Sequence, residues 1–238
     1  MLNQHSLEEI AEIYNLLSNI KQEYEKGIKP ILIKNSSKLF KNVHTVPKLK
    51  KIQINRGLGL SAQNTNILKE NIDEFEKITG QKPLITKSKK AIASFKIREN
   101  MELGLSVTLR GEKMYSFFTK LLFFTFAQIR DFRGLSLRSF DKAGNYTFGL
   151  KEQLIFPEVD YDDVKQVQGF TITIVLEHSS PKYRQESKDK ILNGMILFKF
   201  LRFPLNDCGY YDKYDSFVDI NTNWERKKHL KRKRWSQE

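Results

Sequence analysis

Apolar and polar positions change period several times along this chain, and each change marks an element. From Leu49 they alternate, with Ile52 and Ile54 on one side and Lys51, Gln53 and Asn55 on the other, which predicts a half-buried strand. Gly57-Leu58-Gly59 ends that run. From about Asn64 to Thr79 the apolar residues Leu68, Ile72, Phe75 and Ile78 recur at helical spacing. Gly80 is the expected residue just past that helix, and Pro83 blocks its continuation. A second alternating run sets Leu103, Leu105, Val107 and Leu109 against Gly104, Ser106, Thr108 and Arg110. Gly111-Glu112 then opens a Phe-rich helix from about Lys113 to Ile129. Further β segments are expected at Tyr146–Leu150, Gln153–Phe156 and Phe170–Leu176, the last with Phe170, Ile172, Ile174 and Leu176 opposite Thr171 and Thr173. Ile191 to Phe200 reads as a last apolar helix. At the start, Ser6 followed by Glu9 is a capping box for a helix carrying Leu7, Ile10, Tyr14, Leu17 and Tyr24.

Three strands therefore repeat one design, aliphatic on one side and Gln/Asn, Ser/Thr or Arg on the other. Helices packed on the aliphatic side leave the polar side bare. The expected fold is α+β: an antiparallel sheet of βαββαβ character, like an RNA-recognition module, with helices on one face and an open RNA-binding face. Its exposed positions are small and polar rather than aromatic. That favours backbone and minor-groove contacts on folded RNA over base stacking on single strands.

Charge divides the chain into an acidic helical extension over 1–26, a main domain over 27–204 and a basic extension over 205–238. Between the helix and the second alternating strand, Lys82, Lys87, Lys89, Lys90, Lys96 and Arg98 stand among Ile85, Ile92, Phe95 and Ile97. This basic, apolar-studded hairpin suits a nucleic acid. Net charge over the 238 residues is +13, from 41 Lys and Arg against 28 Asp and Glu. An excess of that size predicts a polyanionic partner, because cations that neutralise phosphates release condensed counterions; solubility alone is the blander account. At the far end, Arg226, Lys227, Lys228, Lys231, Arg232, Lys233 and Arg234 form either a solvated terminus or an arm that orders on RNA, and the balance elsewhere favours the arm.

Catalysis finds little support. One cysteine, Cys208, and the scattered His5, His44, His178 and His229 make neither a disulfide framework nor zinc spacing. Asp131, Asp141, Glu158, Asp160, Asp162 and Asp163 have no recurrent ligand spacing, and surface solvation accounts for them better. No G-x-S-x-G elbow is present, and Gly57-Leu58-Gly59 lacks the third glycine and the lysine of a nucleotide cradle. No cofactor or metal is expected. The opening MLNQHSLEEIAEIYNLL is acidic, unlike a signal or transit peptide, and Tyr115–Ile129 and Ile191–Phe203 are too short and too often charged to span a bilayer, so no membrane partner is expected. Arg130-Asp131-Phe132-Arg133-Gly134 has two readings: a corner held by an Asp–Arg pair over a buried Phe132, or arginines that reach RNA.

Long runs here resemble the L-five family of large-subunit ribosomal proteins, in its bacterial and plastid form. They are INRGLG (Ile54–Gly59), ITGQKPLITKSKKAIASFKIRE (Ile78–Glu99), VTLRGEKMYSF (Val107–Phe117), IRDFRGLS (Ile129–Ser136), RSFDKAGNYTFGLKEQLIFPEVDYD (Arg138–Asp162) and GFTITIV (Gly169–Val175). The match covers about residues 45–178, weakens between Glu177 and Pro204, and finds no counterpart for roughly the first 19 residues or those beyond Pro204. The resemblance implies a structural constituent that anchors 5S rRNA in the central protuberance. It also implies contacts with 23S rRNA, peptidyl-site tRNA, a small-subunit head protein across the intersubunit bridge and neighbouring protuberance proteins. By the same resemblance, Asn55, Gln81 and Thr108 would meet 5S rRNA with Thr86 and Arg110 as neighbours. The hairpin with Lys87, Lys89, Lys90, Lys96 and Arg98 would approach tRNA and 23S rRNA.

Several positions depart from the pattern. Arg56 stands where methionine is common and is expected to add a phosphate contact. Asn100 takes a glycine position, which asparagine tolerates at positive φ. Ala127-Gln128 replaces Pro-Arg, and Lys142 replaces a glycine. The rival readings are a ribosome assembly factor, docked through the acidic helix, and a basic RNA-processing enzyme, which would need carboxylates near the polar face. Heavy use of Lys, Asn, Ile and Phe, as expected of AT-rich codons, favours an organelle-encoded plastid protein over a mitochondrial or bacterial one.

Overall fold

The structure, a computed structural model, describes residues 20–35, 46–59, 64–159, 166–177 and 187–206, with His44, Tyr161 and Val164. The capping box at Ser6, the cysteine and the basic run Arg226–Arg234 lie outside the described residues. Helix α1 runs through three stretches, Ile20–Gln22, the π-helical Glu23–Ile28 and Lys29–Asn35. Ile20, Tyr24, Ile28 and Leu32 recur every four residues and are all buried in the main core. The Tyr24 hydroxyl donates to Pro47 O at 2.8 Å and ties the helix to the first strand. The expected domain boundary at residue 26 thus falls inside a helix that shares one core on both sides.

Next come β1 (Lys48–Gly57), α2 (Thr65–Thr79), β2 (Leu84–Lys87), β3 (Glu102–Leu109) and α3 (Gly111–Lys120). α3 continues through a π-helical stretch, Leu121–Thr125, into Phe126–Gln128, where the Thr125 hydroxyl donates back to Lys120 O. Then follow β4 (Leu135–Ser136), β5 (Tyr146–Leu150), β6 (Phe170–Glu177), α4 (Ser187–Phe200) and β7 (Leu205–Asn206). β4 and β7 form a small parallel pair. The main sheet has the order β2-β3-β1-β6-β5 with every neighbour antiparallel. β1-α2-β2-β3-α3-β6 is the expected βαββαβ unit, and β5 is an added edge strand.

Alternation puts Ile52, Ile54, Leu105, Val107, Leu109, Ile172, Ile174 and Leu176 on one face, where they share a core with residues of α1, α2, α3 and α4. Burying a side chain of this size contributes about 1.5–3 kcal/mol, so the sheet is held by this face. Phe126, Tyr146, Phe148, Phe198 and Phe203 form an aromatic cluster joining α3, β5 and α4, with Tyr146 edge-on to Phe198 at 5.5 Å and Phe198 stacked on Phe203 at 4.7 Å. Asn64 caps α2 by accepting from Asn66 N, and Gly80 closes it in the left-handed region at φ 65°. Lys113 Nζ donates to Gly80 O at 2.9 Å and Lys120 Nζ to Ile78 O at 2.8 Å, two cations against the negative end of that helix.

One expected strand is absent. Gln153–Phe156 forms turns, because the buried Gln153 side chain takes up backbone groups that a ladder would have used. Its Nε2 donates to Gln166 O and its Oε1 accepts from Gln168 N, pinning two loop arms together. Phe156 is buried edge-on to Phe170.

Candidate nucleic-acid interface

Strand register fixes the chemistry of the second face. One row across the sheet reads Thr147, Thr173, Gln53, Thr108, and the next reads Gly149, Thr171, Asn55, Ser106, Leu84. A third brings Gly57, Gly104 and Thr86 together. No helix among the described residues lies over these rows. Their groups are short hydroxyls and amides with little apolar surface; Leu84 on edge strand β2 is the exception. The Ser106 hydroxyl donates to Asn55 Oδ1 at 2.7 Å, which fixes the amide and leaves its NH2 for an outside acceptor. Thr147 and Thr173 share a hydroxyl contact at 3.1 Å.

All five residues expected at a 5S rRNA surface lie at this face or its rim. Asn55 and Thr108 sit in adjacent rows of β1 and β3. Gln81, just past α2, reaches the same strand by donating from Nε2 to Thr108 O at 3.4 Å. Thr86 and Arg110 are exposed, on β2 and directly after β3. Gly104 lets β3 lie close to β1 and β2, since a Cβ there would lie 2.6 Å from Arg56 O and 3.0 Å from Thr86 Oγ1.

Beyond β2 and β3 the chain forms a finger clasped at its base by Ser88. Ser88 N donates to Met101 O, Asn100 N donates to Ser88 O, and the Ser88 hydroxyl donates to Arg98 O at 2.6 Å. The tip is a one-turn helix, Ala93–Phe95, closed by a bridge between Ile92 and Ile97. Lys96 and Asn100 take φ of 54° and 60°, so asparagine does adopt the left-handed conformation at the glycine position. Lys87, Lys89, Lys90, Lys96 and Arg98 are exposed, Lys87 with Glu102 at 3.7 Å. Ile92 and Phe95 are exposed as well.

Arg56 corrects an expectation. It points away from the polar face and is 1 % exposed. Its guanidinium lies over the rings of Phe75 at 5.1 Å and Phe170 at 4.2 Å, and Nη1 donates to Asn71 Oδ1 at 2.6 Å and Glu74 Oε2 at 2.9 Å. It therefore meets no phosphate. The reason is parity: Arg56 follows Ile52 and Ile54 by even steps, so the pleat turns it into the core. At the corner after α3, Phe132 stacks on Phe126 at 5.2 Å, and Asp131 takes φ 54°. Arg130 and Arg133 are exposed there, and no ion pair of Asp131 is present among the described residues.

Strict alternation also fails over the first part of β1. Leu49 and Ile52 are both buried although three residues apart, because the β1–β6 register shifts between Leu49 and Lys51. This bulge puts Lys48, Lys50 and Lys51 all on the polar side. The signal is present in the sequence, as two adjacent lysines between inward positions that an unbroken strand would keep an even number apart. Lys48 and Lys50 both reach Glu177, at 3.2 and 3.6 Å. The hydrogen bond from Lys48 holds the Glu177 carboxyl below the usual carboxylate range. Among the described residues, no group of acidic, histidine and cysteine side chains is placed to hold a metal ion, and no helix is long and apolar enough to cross a membrane.

A family model described as Ribosomal protein L5 matches residues 42–98, and one for the C-terminus of the ribosomal L5 family matches residues 102–201. Large ribosomal subunit protein uL5c of Phaeodactylum tricornutum is 87% identical over 238 residues, 100% of both chains. That of Trieres chinensis is 74% identical, again over 100% of both. Large ribosomal subunit protein uL5 of Nostoc punctiforme is 48% identical over 190 residues, 80% of this chain and 98% of its own. A fifth of this chain is therefore outside that last alignment, whereas both uL5c proteins match it throughout.

Proposed function

Because this chain belongs to the ribosomal protein L5 family and is a structural, non-catalytic constituent of the large ribosomal subunit, we propose that its open sheet face binds 5S rRNA and anchors it in the central protuberance. The plastid-type naming of its relatives puts it in a plastid ribosome, with rRNA as its partner. The observation that carries the 5S reading is the face itself: rows of hydroxyls and amides with Asn55 and Thr108 in adjacent rows, bare of any helix among the described residues. Such groups hydrogen-bond riboses and phosphates of a folded RNA, and their fixed spacing selects a shape rather than a base sequence.

The finger is the second contact. Its lysines and Arg98 supply screened backbone attraction for 23S rRNA and peptidyl-site tRNA, and its position beyond the sheet edge suits the bridge to a small-subunit head protein and to neighbouring protuberance proteins. The basic run Arg226, Lys227, Lys228, Lys231, Arg232, Lys233 and Arg234 adds rRNA contacts of the same kind.

The test is binding of purified protein to 5S rRNA and to random duplex RNA at about 0.15 M salt. The 5S rRNA should bind far more tightly. Asn55→Ala and Thr108→Ala should each weaken it by about 1–3 kcal/mol, through hydrogen bonds removed at a desolvated interface. Equal affinity for both RNAs would defeat the reading.

A further inference from the structure

We infer that the bulge in β1 builds a phosphate-binding strip at the Lys48 end of the open face, made of Lys48, Lys50, Lys51 and Arg110 and spaced by Glu177. The inference rests on the RNA-binding reading of that face and extends it to the far end of the sheet, beyond the rows of hydroxyls and amides.

Register makes the strip continuous. Lys48 faces Glu177 and Lys51 faces Val175 on β6, while the pair Ile52–Leu109 sets Arg110, one residue further along, beside Lys51. These residues come from three adjacent strands, about 4.8 Å apart, on the same side as Gln53, Asn55 and Thr108. Lys48 and Lys50 keep 57% and 47% of their side-chain surface open, and Arg110 is exposed. Four cations against one carboxylate leave a net positive strip bordering a neutral polar one. A backbone crossing the hydroxyl and amide rows towards this end would pass from ribose-type contacts to phosphate-type contacts without leaving the sheet. The occupant is thus an RNA backbone, chosen by charge complementarity.

Without the bulge, Lys50 would point into the core. An unpaired ammonium is not tolerated there, so the extra residue converts an inward position into an outward cation. Glu177 then keeps two of the lysines side by side while the face is empty. An arriving phosphate competes with that carboxylate for them, and Glu177 acts as an internal competitor.

The experiment measures the affinity of the full chain for 5S rRNA and for random duplex across a salt series. For Lys48→Gln, Lys50→Gln and Lys51→Gln combined, the slope of log affinity against log salt should flatten by about 2–3, that is, by about 0.7–0.9 for each of the three phosphates no longer neutralised. Glu177→Gln should move oppositely, binding severalfold more tightly with an equal or steeper slope. Thermal unfolding checks that the triple variant is folded, and the Glu177 variant carries the test if it is not. A folded triple variant with an unchanged slope overturns the strip, as does weaker binding by Glu177→Gln. The slope is read on either RNA, so loss of preference for 5S rRNA would defeat the broader reading without deciding this one.

Discussion

Arg56 shows how one residue fixes the interior beneath the binding face. An ion taken out of water costs several kcal/mol, and only good partners offset that cost. Here two phenyl rings, an amide oxygen and a carboxylate surround the guanidinium. Burial depresses its pKa, and Glu74 acts in the opposite direction. Arg56→Ala should destabilise the fold by about 3–5 kcal/mol, because it opens a cavity and leaves Glu74 unpaired. Arg56→Met combined with Glu74→Leu should lie close to the parent in urea unfolding, since buried pairs are often no better than apolar packing. A large loss in the double variant would mean that the pair contributes more than it costs. Tyr146 gives a second residue-scale prediction. Its buried phenol is pushed up to about 12, and its hydroxyl donates to Ser136 O at 2.8 Å. The unfolded chain releases that proton near pH 10, so this contribution is complete below pH 10 and declines as pH rises towards 12. Tyr146→Phe should cost about 1 kcal/mol at neutral pH and lose less between about pH 9 and 12 than the parent, as followed by urea unfolding.

At the scale of elements, the close approach of β1 and β3 depends on Gly104. A methyl group there meets backbone Arg56 O at 2.6 Å, which no rotamer change relieves. Gly104→Ala should therefore cost about 1–3 kcal/mol, and by shifting the register partners Asn55 and Ser106 it should also weaken RNA binding. In the finger, Lys89→Ala, Lys90→Ala and Lys96→Ala should weaken all RNAs alike and flatten the salt dependence, since exposed lysines act on phosphates and not on bases. A change confined to one RNA sequence would contradict that. These elements are also the legible ones. Strands with a greasy and a polar side, the α2 stripe ending at Gly80, and the Phe-rich α3 follow directly from period and punctuation. Parity tells which side of β1 holds Asn55, and at Arg56 it prevails over charge, which alone suggests a phosphate. Lys50 departs for the opposite reason, since a bulge breaks parity and depends on pairing with a strand far along the chain. Gln153–Phe156 looks like a strand because side-chain capture of backbone groups leaves no periodic trace.

For the whole molecule, the division of labour is between two faces of one sheet. The apolar area goes to the helical side, so polar residues on the other side can change without loss of core. This is why Asn55→Ala should alter binding and leave the unfolding midpoint nearly unchanged, the reverse of the Arg56 variant. That a +13 chain carries a neutral central face is not visible from composition, which counts cations but cannot place them. Beside that face the structure puts exposed cations on the finger and at the bulged end of β1. The aromatic cluster joining α3, β5 and α4 has an optical consequence. Among the described residues it consists of phenylalanine and tyrosine, and the chain's two tryptophans are Trp224 and Trp235, which flank the terminal basic run. Quenching of indole emission on titration with 5S rRNA would therefore register engagement of that run, while tyrosine absorbance follows the fold.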